Sequence, residues 1–443
     1  MSRVEAGRRG RAGAVGLAAR GLLLAAALAP AAHARAQTPA QTPSPVLPQV
    51  NLDDAVQRAL AHNPSVAQAA TAIAHAEAIL QQTRSGVVPT VSAGLSNLTI
   101  DHARGFSGFI TQPQDQATLS ASVSVPILAP ARWATLQQGR DQVDVATRST
   151  DQARQQVAVA TAQAYLGIIT AHRQLDVELR ALENAQAHLD YAEKRLEGGA
   201  GSRLDQLRAA EEVSTDESQA ENARLALLRS QEALGVLLAD DGPVDAAGEP
   251  AFDVPATVSE SEWMAARPDV RYQESVIAAA ERVVRDSHLD WLPTATASFT
   301  PQLVTPAGLF QPSRTWSLVV SITQPIYEGG LRKSERAQRA VTFDQSKIAL
   351  TTIQIQARSE VRLAQASLTS LQRALTSAQQ AASQAADVLQ ITMAAFQVGA
   401  TSNIEVIDAE RSARDAGTSA NLAEDAVRRA KLDLLVALGR FPK

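Results

Sequence analysis

One ordered set of landmarks runs through this chain twice, and any fold must accommodate both copies. His62-Asn63-Pro64-Ser65-Val66 resembles Ala266-Arg267-Pro268-Asp269-Val270, 204 positions later. At the same offset, Val87-Val88-Pro89-Thr90-Val91 matches Trp291-Leu292-Pro293-Thr294-Ala295. Val125-Pro126-Ile127 returns as Gln324-Pro325-Ile326, and Gly199-Ala200-Gly201-Ser202-Arg203-Leu204 as Gly399-Ala400-Thr401-Ser402-Asn403-Ile404. A repeat of this kind gives the two halves equivalent structural roles. The expected units are residues 51–239 and 257–440. Between them lies a linker, 240–256, whose Asp240–Pro255 stretch is rich in Gly, Pro, Ala and Asp. Each copy reads helix, strand, strand, very long helix, turn, shorter helix.

The long helices are the most demanding part. Ala131–Leu196 and Leu331–Phe396 contain no proline and are rich in Ala, Gln, Arg and Glu. Each predicts a rod of roughly 100 Å if unbroken. Val361, Leu368, Leu375, Ala382, Leu389 and Phe396 form a track of sevens, matched in copy one by Leu175, Leu182, Leu189 and Leu196. Such seams require helical partners. The shorter opening helix, Leu52–Arg84, is interrupted at Asn63-Pro64.

The strands alternate. Leu119, Ala121, Val123, Val125 and Ile127 take one face of Thr118–Ile127, and Ser120, Ser122 and Ser124 the other. Trp316, Leu318, Val320 and Ile322 oppose Ser317, Ser321 and Thr323 in copy two, while Val87–Ile100 and Thr294–Val304 alternate more weakly. Alone, this pattern fits a soluble sheet better than a barrel facing lipid. A plain antiparallel coiled coil would explain the heptads, but it leaves the strand pairs without a role. Four strands of about ten residues can cross a bilayer but cannot close, and open edges are not tolerated in lipid. Since barrels need about eight strands or more, identical neighbours must contribute, and three chains would supply twelve.

Residues 1–36 read as a secretory signal: Arg8, Arg9, Arg11 and Arg20, the apolar run Gly21–Ala32, then small residues up to Ala36. Residues 37–50 follow as a flexible leader. Without the signal the chain holds 35 basic and 45 acidic residues, a net charge of −10, which disfavours nucleic acid as a partner. There is no cysteine, and hence no thiol chemistry and no lipid-modified N-terminal cysteine. His62, His75, His102, His172, His188 and His288 show no metal-ligand spacing. No glycine loop follows a strand to cradle phosphate. The expectation is a protein that is not an enzyme and carries no cofactor or metal.

Leu52-Asp53-Asp54-Ala55-Val56 with Ala59-Leu60-Ala61-His62-Asn63-Pro64, and Gln324-Pro325-Ile326-Tyr327-Glu328-Gly329-Gly330, resemble the TolC family of outer-membrane efflux proteins, in order across Leu52–Arg440. The resemblance implies a mainly α chain with a membrane β-barrel. Its long coiled-coil-like helices would form a periplasmic tunnel, and its four strands would complete a twelve-stranded barrel in a homotrimer. It further implies an outer-membrane exit duct for small molecules such as drugs. The partners would be outer-membrane lipid, a periplasmic adaptor and an inner-membrane transporter. Type I protein secretion, metal efflux and a soluble periplasmic coiled-coil scaffold remain as alternatives.

Residue by residue, the resemblance places the tunnel tips, which meet adaptor hairpins, at Gly199, Ser202, Gly399 and Ser402. It places the constriction at Glu405 and Asp408, which share a helix face at i, i+3. Glu405 departs from the family's aspartate there, and Thr401 stands where the family carries a basic residue. Gly329 and Gly330 suit a strand-to-helix corner. Trp133, Trp291 and Tyr327 fall at strand–helix junctions, where amphipathic aromatics fit a membrane rim or ordinary packing. Phe106, Phe109 and Phe310 fall in the outer loops, Asp101–Gln116 and Thr305–Arg314.

Overall fold

The computed structural model describes residues 47–255 and 257–442. The predicted signal, residues 1–36, and the leader up to residue 46 lie outside the described residues. In chain order the elements are β1 (Gln49–Val50), α1 (Leu52–His62), α2 (Pro64–Ser85), β2 (Thr90–Thr99), β3 (Arg104–Phe106), β4 (Phe109–Gln112) and β5 (Asp115–Leu128). Next come α3 (Pro130–Glu197), α4 (Arg203–Leu238), β6 (Asp245–Ala246), α5 (Glu260–Ala266) and α6 (Pro268–Asp286). After a 3-10 turn at Ser287–Trp291 come β7 (Thr294–Thr305), β8 (Arg314–Thr323), α7 (Leu331–Gln397) and α8 (Asn403–Ala437).

The Asn-Pro step works differently from a break in one helix. Asn63 ends α1 and caps α2, accepting the Ser65 amide at 2.9 Å, while Pro64 takes the first helical position, where an N–H is not needed. The Asn63 amide also donates to Leu237 O at the end of α4, 2.8 Å away. In the second copy Arg267 occupies the equivalent N-cap of α6 and donates to Ala437 O, the last residue of α8, at 3.1 Å. Short helices therefore abut end to end, α4 on α2 and α8 on α6, beside the unbroken α3 and α7. The order across the wall is α2–α3–α6–α7 in one half and α4–α3–α8–α7 in the other.

The sheet order is β2–β5–β7–β8, antiparallel throughout. Register stacks Leu95, Leu119 and Leu303, then Val123, Phe299 and Leu318, on one face. The other face carries Thr90, Ser92, Ser120, Ser122, Ser124, Ser298, Ser317 and Ser321. The apolar residues Val91, Leu95, Leu119, Trp316, Leu318 and Ile322 are all exposed. Among the described residues no layer covers them. Strands β2 and β8 have a partner on one side only. The first outer loop contains its own hairpin, β3–β4, which meets the second loop through the Leu309 amide and Ile110 O at 3.1 Å.

A second layer thickens one face of the wall at mid-length. There β1 pairs in parallel with β6, from the segment between the copies, and α1 packs Ala55, Val56 and Ala59 among Ala158, Ala162, Tyr165, Leu166 and Ile169 of α3. Of these, Val56, Leu166 and Ile169 contribute about 1.5–3 kcal/mol each on full burial and the alanines less, and the Tyr165 hydroxyl is satisfied by Gly248 O at 2.7 Å. Trp263 of α5 packs likewise on Ala357, Val361, Leu434 and Leu438. No described helix is long and apolar enough to cross a membrane.

The heptad tracks divide. Val361, Leu389 and Phe396 are buried as expected. In copy one, Leu175, Leu182, Leu189 and Leu196 are only partly buried, and the buried seam along this tip-ward half of α3 is instead Glu178, Ala185, His188 and Ala192.

Candidate constriction, tunnel tips and membrane sheet

Both long helices end in the same motif. At the α3 tip, the Gly199 amide donates to Leu196 O at 3.0 Å and the Ala200 amide to Arg195 O at 2.9 Å. At the α7 tip, the Gly399 amide donates to Phe396 O at 3.0 Å and the Ala400 amide to Ala395 O at 2.8 Å. Gly199 and Gly399 sit at φ +75° and +78°, the left-handed conformation this paired pattern requires. The two left-handed glycines each follow the C-cap, which is Gly198 in α3 and Val398 in α7. Ser202 then caps α4 by accepting the Asp205 amide at 3.1 Å, whereas Ser402 caps α8 with no side-chain hydrogen bond.

One turn into α8, Glu405 and Asp408 are exposed on a common face while Val406, Ile407, Ala409 and Glu410 turn inward. Arg411, the next basic residue on this helix, is committed to Glu212 through Nε at 2.8 Å. That hydrogen bond raises the Arg411 pKa above its ordinary value.

Behind this face lies a buried polar cluster that the sequence reading missed. Glu212, 1% exposed, pairs with Arg411 and Arg414, and Arg414 also pairs with Asp216. Burial pushes the Asp216 carboxyl up against the pull of Arg414. His188 Nδ1 lies 3.4 Å from Glu410, side chains 2% and 5% exposed, with the Phe396 ring edge-on to the imidazole at 5.4 Å. These contacts bind the α3/α4 hairpin to α8 just behind the tips. The available signal was the placement of Glu212 and Asp216 between Ala209 and Ala220, in the spacing of a coiled-coil seam.

At the opposite end, between β8 and α7, Gly329 and Gly330 adopt φ +63° and +87°, and Gly330 is the N-cap of α7. Trp133, Trp291 and Tyr327 are exposed at the same edge of the sheet, and Phe106, Phe109 and Phe310 are exposed in the outer loops. An open four-stranded sheet with a bare apolar face and two unpaired edges, continued by a helical wall with two open sides, defines a subunit of a membrane-embedded tube.

The chain matches the outer membrane efflux protein family over residues 55–240 and 261–440, and it belongs to that family. It is 25% identical over 272 residues to outer membrane protein OprJ of Pseudomonas aeruginosa, a match spanning 59% of this chain and 56% of OprJ. To the cation efflux system protein CusC of Escherichia coli O157:H7 it is 24% identical over 373 residues, spanning 81% of this chain and 79% of CusC. Solved structures share the fold. CusC superposes with a TM-score of 0.78 at 20% identity, covering 88% of this chain and 92% of that one. The Campylobacter jejuni CmeC outer membrane channel superposes with a TM-score of 0.76 at 17% identity, covering 88% and 86%. The protein is thus an outer-membrane efflux channel subunit, with four strands toward a shared barrel and a helical tunnel wall on the periplasmic side.

Proposed function

We propose that three copies form the passive exit duct of a tripartite efflux system, discharging small molecules delivered by an inner-membrane transporter through a periplasmic adaptor. The observation that supports this reading is the incompleteness of the protomer: its polar sheet face and its wall gain a lumen only when copies close the ring. Glu405 and Asp408, exposed near the tips, would form a ring of six carboxylates around a three-fold axis. Like charges at short range repel one another and attract cations, so the ring narrows the inner end and favours cationic traffic. Gly199, Ser202, Gly399 and Ser402 would present the tip turns to adaptor hairpins. The duct needs no catalysis, since energy enters through the pump.

A second reading, cation export, is favoured by the longer match to CusC than to OprJ. Complementation of a strain lacking its own exit duct separates the two: restored drug resistance supports the first and restored metal tolerance the second. The constriction is tested by single-channel recording of the wild type against Glu405→Gln/Asp408→Asn. Higher conductance and weaker cation selectivity are expected, and an unchanged trace would remove these two residues from the role.

A further inference from the structure

From the arrangement of charge where the wall meets the sheet, we infer that the periplasmic rim of the barrel is a binding belt for anionic phospholipid headgroups, built from Arg140, Lys333 and Arg336. The inference rests on the outer-membrane reading. The ends of β5 and β8 and the start of β7 lie at one edge of the sheet, since Leu128 pairs with Ala295 and Thr294 with Thr323. Helix α3 begins at Pro130 and α7 at Leu331. Lys333 and Arg336 therefore occupy the first two turns of α7, and Arg140 the third turn of α3. Headgroup regions extend roughly 5–8 Å beyond the hydrocarbon core on each side, so a long basic side chain within one to three turns of the strand ends reaches them.

All three side chains are exposed, and helix periodicity turns them away from the groove between α3 and α7. Gln142 and Val145 of α3 line a groove of about 450 Å³ with Gln338 and Thr342 of α7. On α3 the residues that pack with α1, Ala158, Ala162 and Ile169, stand about 160–200° round from Gln142, so the groove and that layer take opposite faces of the helix. In a closed ring a layer added to the wall fits the exterior, where it does not fill the lumen, which puts the groove on the lumenal side. At about 100° per residue, Arg140 stands about 200° round α3 from Gln142. Lys333 is about 180° round α7 from Thr342, and Arg336 about 200° from Gln338.

The acids nearest these groups have other partners: Glu328 with Arg332, Asp290 with Arg339, Asp141 with Arg282, and Asp144, one turn beyond Arg140, with Arg148. Glu335 turns toward the Gln338 side. Trp133 is seven residues before Arg140 and shares its exterior face, and the Arg332 guanidinium stacks on Trp291 at 5.6 Å. Aromatic side chains at this depth place the basic groups at a lipid interface, and basic groups beside a bilayer attract anionic lipid.

The test reconstitutes the full trimer in vesicles of phosphatidylcholine with one-fifth phosphatidylglycerol, extracts it in mild detergent, and counts co-purified lipids by native mass spectrometry. Wild type should retain phosphatidylglycerol several-fold over its bulk fraction, with the enrichment falling as salt rises. Arg140→Gln/Lys333→Gln/Arg336→Gln should lose about tenfold of that selectivity while keeping a heat-sensitive trimer, and Lys333→Glu/Arg336→Glu should exclude the anionic lipid. Bulk-like lipid in wild type, or undiminished enrichment in the triple variant, overturns the belt. Failure to insert into vesicles at all would instead overturn the membrane reading beneath it.

Discussion

Helices α3 and α7 follow one plan and are nearly the same length, yet they are buried very differently. In α3, Val157, Ala158, Thr161, Ala162, Tyr165, Leu166, Ile168 and Ile169 form a continuous core run. In α7 only Ser346, Ala357, Val361, Leu389 and Phe396 are buried. Position explains the contrast: α3 has a helix on each side, whereas α7 ends the wall. Its outer edge carries Val341, Ile348 and Ile355, seven residues apart and exposed at 56%, 67% and 58%. A heptad apolar track left bare by the described residues of its own chain calls for a partner helix; if a second copy continues the wall in the same order, that partner is its α2. The sheet repeats the lesson, with β5 and β7 paired on both sides and β2 and β8 on one.

The largest expected effect comes from breaking that edge. Ile348→Asp/Ile355→Asp places charge on the bare track without disturbing the protomer core, and it should abolish the heat-sensitive trimer on a gel while the monomer stays helical by circular dichroism. A persistent trimer would move the interface elsewhere. The matched substitutions sharpen the comparison within one chain. Leu166→Ala in α3 should cost about 2–5 kcal/mol of stability, and the exposed Leu363→Ala in α7 less than about 0.5 kcal/mol, both read from denaturant midpoints.

The buried cluster makes the α3/α4 hairpin depend on α8. Removing one partner from a buried ion pair strands the other, so Arg414→Ala should cost about 3–5 kcal/mol, whereas Arg414→Leu/Asp216→Leu should recover most of it. Limited proteolysis near the tips would register the loss as faster cleavage.

Much of this was legible because repetition, proline placement and strand alternation are local signals. The bounds of α3 and α7 fall within a residue or so of the expected ones, and the Ser face and Leu face of the sheet are continuous across all four strands. The polar core was not legible. Glu178, His188 and Glu212 are ordinary surface residues by type, and only the convergence of three helices takes them out of water. The Leu175 track misled for a related reason: leucine at sevens marks a seam, but Ala185 and Ala192 permit closer approach and so occupy its centre.

Acidity separates mid-wall from tip. Burial opposes charge on Asp245, but hydrogen bonds from His172 at 2.7 Å and Gln231 at 3.0 Å prevail and hold its carboxyl below the ordinary value. A carboxyl acidified by folding stabilises the fold above its unfolded pKa of about 3.9, and that contribution fades as pH falls through the folded value. Asp245→Asn should therefore lower the melting temperature at pH 7, and the gap to wild type should shrink as the solution is acidified through the lowered pKa of Asp245. A gap of constant size would mean that the charge is not what holds β6 to the wall.

The smallest contrast is at the two tips, where identical helix endings lead into unequal beginnings. Gly199 and Gly399 make the same two-bond turn, so Gly199→Ala and Gly399→Ala should each cost about 1 kcal/mol for the left-handed backbone. The serines differ. Ser202 accepts the Asp205 amide and its hydroxyl also reaches the Asp205 carboxylate at 2.7 Å, while Ser402 makes no side-chain cap bond. Loss of a working N-cap costs about 1 kcal/mol, and loss of an idle one much less. Ser202→Ala should thus destabilise by about 1 kcal/mol and Ser402→Ala by a few tenths, measured as hydrogen-exchange rates in the first turns of α4 and α8. If Ser402→Ala leaves stability untouched but weakens adaptor binding, its hydroxyl is free because it serves the partner. If both serines cost the same, the cap at Ser402 forms in solution and the two tips are equivalent.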